Sequence, residues 1–390
     1  MSEKRDVIVS GAGPSGAATA AMLAQKGYDV LLYDRYDFPR DKVCGDAVPA
    51  GAVALLRGLG MGEKIDKAEA EGKFYPLDGL RIFSPRGYEM RAEFGDHENN
   101  SRSYVAPRMH FDATVQAHAV DSGAEFRVGT VKKPLLENGR VVGVTVAENG
   151  TTRDILARVV VGADGVTSPL ARTLRPKSDQ HKDMHRAVAL RAYIEDLEEY
   201  PGEVEFYLYK EILPGYAWIF PTGLNQANIG LGMRLDHFRQ RKEKLEGLLD
   251  QFLAMPAIKK RLKRGGQLRD VATWQLNFGS QKNLQHAYDG ALLVGDAAGF
   301  INPLTGGGIH NGLLSAQAAA TTLHEALQAD DTSLNRLKIY EKRVHDSMWD
   351  SMKRAFTMQR WFLRLPILVD ILARQMGNNN ALARMFLTKL

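Results

Sequence analysis

The stretch that most limits this chain is GAGPSG, residues 11–16, together with what flanks it. DVIVSG before it is a short apolar, β-branched run. PSGAATAAMLAQKG after it is small and apolar at helical spacing and closes on Gly27; YDVLLYD is a second apolar run. The order strand, glycine turn, helix, strand predicts a βαβ unit with two parallel strands. In that setting the three glycines have separate tasks. Gly11 permits the tight turn, Gly13 lets backbone N–H groups approach a pyrophosphate, and Gly16 lets the helix pack close to the strand. Asp34 ends the second strand, where a carboxylate can accept from ribose hydroxyls. Ala12, Pro14 and Ser15 of the loop, and Arg35 after the acid, complete a candidate dinucleotide site.

Composition narrows the rest. The chain has 390 residues, enough for two or three domains. Its one cysteine, Cys44, excludes a disulfide scaffold and cysteine-based zinc sites, and it suits a reducing cytosol. The ten histidines form no HExxH pair, and there is no GxSxG elbow. The N-terminal MSEKRDVIVSGAG has no signal-peptide pattern, and no window is long and apolar enough to suggest a membrane span. A net charge of +5 is compatible with anionic partners, but by itself it reads as a solvated basic surface. No nucleic-acid partner and no metal are expected. Nothing in the sequence sets an oligomeric state.

Further along, LRIFS, YEMRAEF and SYVAP alternate as half-buried strands do, and RMHFDATVQAHAVDSG reads as a helix. EFRVGT, RVVGVTV and ARVVVGAD are strands. RAVALRAYI, EVEFYLY, YAWIFPT and ANIGLGM suggest an antiparallel sheet, and residues 333–390 have a helical pattern. The expected architecture is α/β. A Rossmann-like domain comprises residues 1–75, 101–180 and 281–332. An inserted antiparallel-sheet substrate domain comprises 76–100 and 181–280, and a C-terminal helical region spans 333–390.

A second glycine cluster specifies the dinucleotide. LLVGDAAGFINPLTGGGIHNGL puts Asp296 at a strand end and Gly306, Gly307 and Gly308 before a helix that opens at Ile309. An acid there can hold a chain of hydroxyls. Glycines at a helix N-terminus let N–H groups face a ring oxygen that gains negative charge on reduction. Those are the demands of a flavin, so FAD is the expected cofactor.

GAGPSG, VVVGADGVTSPLAR and LLVGDAAGFINPLTGGG resemble the fingerprints of class A flavin monooxygenases and their reductase relatives. The resemblance implies that Asp164 and Gly165 support the FAD fold, that Arg108 contacts the pyrophosphate, and that Val131 joins the FAD set. PGYAWIFPTGLNQANIGLG is similar to the signature of geranylgeranyl reductases, FAD enzymes that hydrogenate isoprenoid double bonds. The matching residues are Tyr216, Trp218, Phe220, Pro221, Gly230 and Gly232. Alternate residues of a strand share a face. Tyr216, Trp218 and Phe220 therefore form either an aromatic core stripe or the wall of an apolar substrate pocket. In the same reductases a Cys-Gly pair approaches the flavin. That implies a place at its substrate end for Cys44 and Gly45; the alternative is a buried, inert thiol. Cys44, Tyr216 and Trp218 are the catalytic candidates, and Tyr216, Trp218 and Phe220 the substrate-binding ones.

The expected activity is FAD-dependent reduction of C=C bonds in a prenyl chain on a lipid or isoprenoid. The alternative is a monooxygenase or halogenase on the same fold. Flavin halogenases typically carry Trp-x-Trp-x-Ile-Pro, from which YAWIFP departs at the first aromatic and before the proline. Electron transfer to a quinone through an iron–sulfur cluster is excluded, since one cysteine cannot ligate a cluster. NADPH or a small redox protein would supply electrons. Residues 353–390 have a basic amphipathic composition broken at Pro366. They are expected either to cap the core or to lie on an anionic membrane surface. The expected location is the cytoplasm, with contact to the inner face of the membrane in the second case.

Overall fold

The computed structural model describes residues 3–94, 102–176, 180–198, 202–213, 215–262 and 266–377. Lys4–Ser10 pairs in parallel with Val30–Asp34 on one side and Thr151–Gly162 on the other. The sheet extends in parallel to Glu125–Val128 and Ala291–Leu293. Val7, Ile8 and Val9 are fully buried, as are Leu31, Leu32 and Tyr33. Covering on both faces is why these runs are continuously apolar instead of alternating. Helix Pro14–Ala24 is built almost wholly of small residues. It packs between the sheet and the helices Arg108–Asp121 and Ile309–Gln328. Thr130–Glu137 and Arg140–Glu148 form a hairpin that continues antiparallel onto Thr151–Gly162.

A seven-stranded sheet lies apart from this one. Its order is Leu268–Asn277, Arg186–Ile194, Gln226–Arg234, Gly215–Gly223, Glu203–Tyr207, Gly79–Phe83, Glu89–Glu93. It differs from the sequence reading in one respect: the sheet is mixed, because Glu203–Tyr207 runs parallel to Gly79–Phe83. Ser103–Val105 pairs with Ala47–Val48 and Tyr75–Leu77 in a small third sheet. These pairings are long-range, and local alternation does not encode them.

The chain then runs through helices to Asp350–Arg364 and Pro366–Met376, which are separated at Pro366 as expected. The last helix is fixed by Asp370, the one acid of residues 353–390, which is 6% exposed and accepts from Ser84 Oγ at 2.6 Å and the Arg86 N–H at 2.9 Å. Val369 and Ala373 face inward, while Trp361, Leu365, Ile367, Leu368 and Ile371 are exposed. Residues 378–390, with Arg384 and Lys389, lie outside the described residues.

Candidate functional site

One cleft, with about 2400 Å³ of open space, runs from the parallel sheet to beneath the seven-stranded sheet. Every sequence-predicted site residue lines it except Ala12 and Gly16. Those two act behind the wall. The Ala12 N–H donates to Asp34 Oδ2 at 3.0 Å. A Cβ on Gly16 would stand 1.8 Å from the Gly11 carbonyl oxygen, so helix and loop meet backbone to backbone there. Gly11 has φ +103°, which glycine alone adopts freely, and it faces the Ala163 carbonyl.

Gly13 differs from its two neighbours. The space beside it is open, and the nearest atoms to an added Cβ are Arg40 Nη2 at 3.9 Å and Arg108 Nη2 at 4.0 Å. Two guanidinium groups therefore converge on the one glycine of the loop that leaves room. Arg108 is 4% exposed and donates two hydrogen bonds to Asp112, at 2.5 and 2.7 Å; Arg40 reaches the same carboxylate at 2.8 Å and Asp34 at 3.2 Å. The two guanidinium groups share the buried Asp112, Arg40 pairs also with Asp34, and both still border the space beside Gly13. Asp34 also receives the Tyr36 N–H at 3.2 Å, and Arg35, Val131 and Pro14 border the same end. Asp164 and Gly165 form the turn under Gly11. Burial pushes the Asp164 carboxyl up to about 6, although Ser168 and Ser10 donate to it.

Asp296 is not at a strand end. The strand stops at Leu293, and Asp296 sits in a one-turn helix, Gly295–Ala298, paired with Lys42 at 3.2 Å. The positive φ of Gly295, +56°, and its N–H bond to Ser315 Oγ turn the chain early. Gly306–Gly308 lead into Ile309–Gln328, whose first N–H groups no side chain caps. That is the arrangement an anionic ring edge requires. Asn302 pins this loop by accepting from Leu304 and Thr305, and Gln359 of the C-terminal helices donates to the Pro303 carbonyl at 2.5 Å.

At the other end the aromatic strand Gly215–Gly223 lines the cleft with Tyr216, Trp218 and Phe220, whose rings follow one another at 6.0 and 6.1 Å. The stripe also packs as core, since Trp218 and Phe220 are 6% and 5% exposed members of a small cluster. The register explains the Gly-x-Gly spacing. Gly230 lies opposite Trp218 and Gly232 opposite Tyr216. A Cβ on Gly230 would stand 2.2 Å from the Leu190 carbonyl oxygen and 2.4 Å from the indole. Tyr216 donates to the Thr305 carbonyl and so ties the wall to the glycine loop.

The loop of Arg40 to Asp46 joins the two ends. Cys44 is partly buried and lines the cleft beside Arg108. An added Cβ on Gly45 would meet the Phe220 ring at 3.1 Å. Sequence reasoning missed Arg40, Lys42, Asp46, Asp112, Arg191, Tyr193 and Asn228. Only proximity to CGD and to the Gly-x-Gly marked some of them in the sequence. Asn228 donates to the Cys44 carbonyl and to Asp46, both at 2.7 Å, and accepts from Trp218 Nε1 at 2.8 Å. Among the described residues no cluster could hold a metal ion, and no helix is long and apolar enough to cross a membrane.

A parallel-sheet dinucleotide fold with an open glycine between two guanidinium groups, and a capless helix N-terminus across the same cleft, fits FAD. The class is that of FAD-dependent oxidoreductases, and residues 4–355 match the family described as FAD binding domain. The chain is 32% identical over 369 residues to digeranylgeranylglycerophospholipid reductase 2 of Methanopyrus kandleri, covering 92% of this chain and 86% of that one. It is 32% identical over 351 residues to the digeranylgeranylglycerophospholipid reductase of Thermoplasma acidophilum, covering 88% and 84%. Within the FAD-binding family this chain belongs to the digeranylgeranylglycerophospholipid reductases. A crystal structure of a geranylgeranyl bacteriochlorophyll reductase-like protein from Thermoplasma acidophilum superposes with a TM-score of 0.85 at 27% identity, over 98% of this chain and 95% of that one. A variant of the flavin-dependent brominase Bmp2 superposes at 0.77 and 20% identity, over 99% of each chain, a likeness of fold alone.

Proposed function

We propose that this chain saturates C=C bonds in the prenyl chains of an isoprenoid lipid of the digeranylgeranylglycerophospholipid kind. The observation that carries this reading is the continuity of one cleft from the FAD-type segments to the wall of Tyr216, Trp218 and Phe220. Bound FAD, once reduced, supplies the hydride equivalent. The chain's own residues do the rest. Gly13, Arg40 and Arg108 would hold the pyrophosphate, Asp34 the ribose, and Asp296, now paired with Lys42, the ribitol hydroxyls. The helix opening after Gly308 stabilises negative charge at the ring edge. The aromatic wall excludes water and fixes the register of the chain. An isolated alkene is a poor hydride acceptor, so much of the rate must come from holding it in near-attack geometry. Cys44 stands at the substrate end. NADPH or a small redox protein reduces the flavin.

The exposed row Trp361, Leu365, Ile367, Leu368 and Ile371, beside the exposed cations Lys353, Arg354, Arg360 and Arg374, supports contact with an anionic membrane at the mouth that Gln359 lines. Cytoplasmic protein would meet its lipid substrate there. Flotation with anionic liposomes tests this part, and an intact protein that stays at the bottom ends it. The reaction is tested by anaerobic incubation of dithionite-reduced holoprotein with digeranylgeranylglycerophospholipid, followed by mass spectrometry. Stepwise addition of hydrogen pairs is expected. Oxygen uptake coupled to an oxygenated or halogenated product, with no hydrogen addition, overturns the reading.

A further inference from the structure

Beside Cys44 and Gly45 the cleft wall contains a carboxyl that neither the FAD site nor the aromatic wall accounts for. Asp46 is 0% exposed and is held in the left-handed region at φ +65°. Its main chain is fixed, because its carbonyl accepts from the Ala106 N–H at 2.8 Å. One side-chain oxygen, Oδ2, accepts from Tyr193 Oη at 2.6 Å and from Asn228 Nδ2 at 2.7 Å. The other, Oδ1, is buried without a partner among the described residues. A carboxylate buried with one bare oxygen is costly, and protonating that oxygen removes the buried charge.

The other acids of the cleft are arranged differently. Asp34 accepts three hydrogen bonds, and Asp296 is paired with Lys42. Asp164 also has a bare oxygen, but it sits under Gly11 at the nucleotide end. Asp46 alone adjoins the aromatic wall. Asn228 bridges it to Trp218, and Gly45 touches Phe220.

We propose that Asp46 holds and releases the proton that completes each double-bond reduction, at the Cys44–Asp46 edge of the cleft. This rests on the reductase reading above. Saturating one C=C bond consumes a hydride and a proton. The hydride brings its electron pair to one carbon. The π pair then forms the second C–H bond with a proton, and the acid that gave the proton is left as a carboxylate. Asp46 regains its proton from solvent before the next turn. The hydride donor is oxidised by two electrons and the alkene reduced by two, while Asp46 changes only its protonation state.

The surroundings suit an acid that titrates near the working pH. Burial pushes the Asp46 carboxyl up to about 6, against the bonds from Tyr193 and Asn228 and the charges of Arg191 and Arg108. The charged and titratable groups that face it are Arg191 and Tyr193 from strand Arg186–Ile194 and Arg108 from its helix, with Asp41 and Cys44 on its own loop. Asp41 is neutralised by Arg191 at 2.5 Å.

The test uses holoprotein and two variants. Asp46→Asn keeps an oxygen to accept from Tyr193 and Asn228 but cannot give a proton. It should retain FAD and slow anaerobic single-turnover reduction of the prenyl lipid by roughly 100-fold or more. The parent rate should fall as pH rises through the midpoint, and Asp46→Asn should lose that titration. Infrared difference spectra, which need no turnover, should show a protonated carboxylic acid carbonyl in the parent that Asp46→Asn lacks. Tyr193→Phe removes a bond that favours the carboxylate, so it should move the midpoint of the infrared and rate titrations upward. It decides the matter if Asp46→Asn does not fold. An Asp46→Asn protein with the parent's rate, pH profile and carbonyl band, or an unmoved midpoint in Tyr193→Phe, overturns the proton assignment. A parent that adds no hydrogen to any prenyl lipid overturns the reductase reading instead.

Discussion

Replacing Gly13 by alanine separates binding from folding. Its φ of −68° and ψ of 179° are open to any residue. An added methyl would meet nothing closer than 3.9 Å, so no strain and no overlap arise. Gly→Ala at an unstrained site stabilises by about 0.4–1 kcal/mol through the unfolded chain. Alanine is a poorer helix N-cap than glycine, which offsets part of that gain. The apoprotein should therefore melt within about 3 °C of the parent. FAD should bind worse, because the methyl occupies the space between the Arg40 and Arg108 guanidinium groups where a pyrophosphate would lie. Losing one charge-assisted hydrogen bond costs about 1.5–3 kcal/mol, or roughly one to two decades in Kd. Thermal unfolding of apoprotein and quenching of FAD fluorescence read the two effects separately. Gly16→Ala is the control with the opposite outcome. Its Cβ, 1.8 Å from a backbone oxygen, should destabilise by about 1–3 kcal/mol or more. Parental FAD affinity in Gly13→Ala would refute the placement of the pyrophosphate.

Gly230→Ala would press on the Leu190 carbonyl as well as the Trp218 indole and should lower the melting temperature, whereas Trp218→Ala should impair lipid reduction far more than FAD retention; thermal unfolding, flavin content and single-turnover rate read these effects. Cys44→Ser should leave FAD bound and change the rate or extent of reduction, read by mass spectrometry of the lipid. Burial holds His181 down at about 3 and His185 at about 4, whereas the unfolded imidazoles titrate near 6.5. Between those values the unfolded state binds more protons, so these groups make stability fall as pH drops from about 6.5. The buried carboxyls of Asp46 and Asp164 slope the other way, so the check is a difference: the melting temperature of the parent minus that of His181→Gln should fall as pH drops from about 6.5.

Much of the nucleotide end was legible because its constraints are local. Gly11, Gly13 and Gly16 each answer a requirement set within a few residues, by a turn, an approach and a helix contact. The Gly-x-Gly of the aromatic signature was also legible, but its reason was not. Only the antiparallel register sets Gly230 across from Trp218, and there the missing Cβ makes room for an indole. Asp296 was found with the wrong support, because an apolar run does not reveal that the strand stops at Leu293 and turns through Gly295.

The loop RDKVCGDA was the least legible part, although it contained the lone cysteine. Its side chains find their partners far away in sequence. Arg40 goes to Asp112, Asp41 to Arg191, Lys42 to Asp296, and Asp46 to Tyr193 and Asn228. No periodicity encodes such pairs, since each depends on how the two large sheets come together. The same wiring gives the loop its importance. It ties the pyrophosphate end, the ribitol acid and the substrate wall into one rigid rim, with Cys44 at its centre. A change at Asp46 or Asn228 would therefore be felt at the cysteine through two hydrogen bonds, while a change at Cys44 itself leaves the rim in place. For that reason the variants at Asp46 and Tyr193, more than those at the cysteine, decide where the proton comes from.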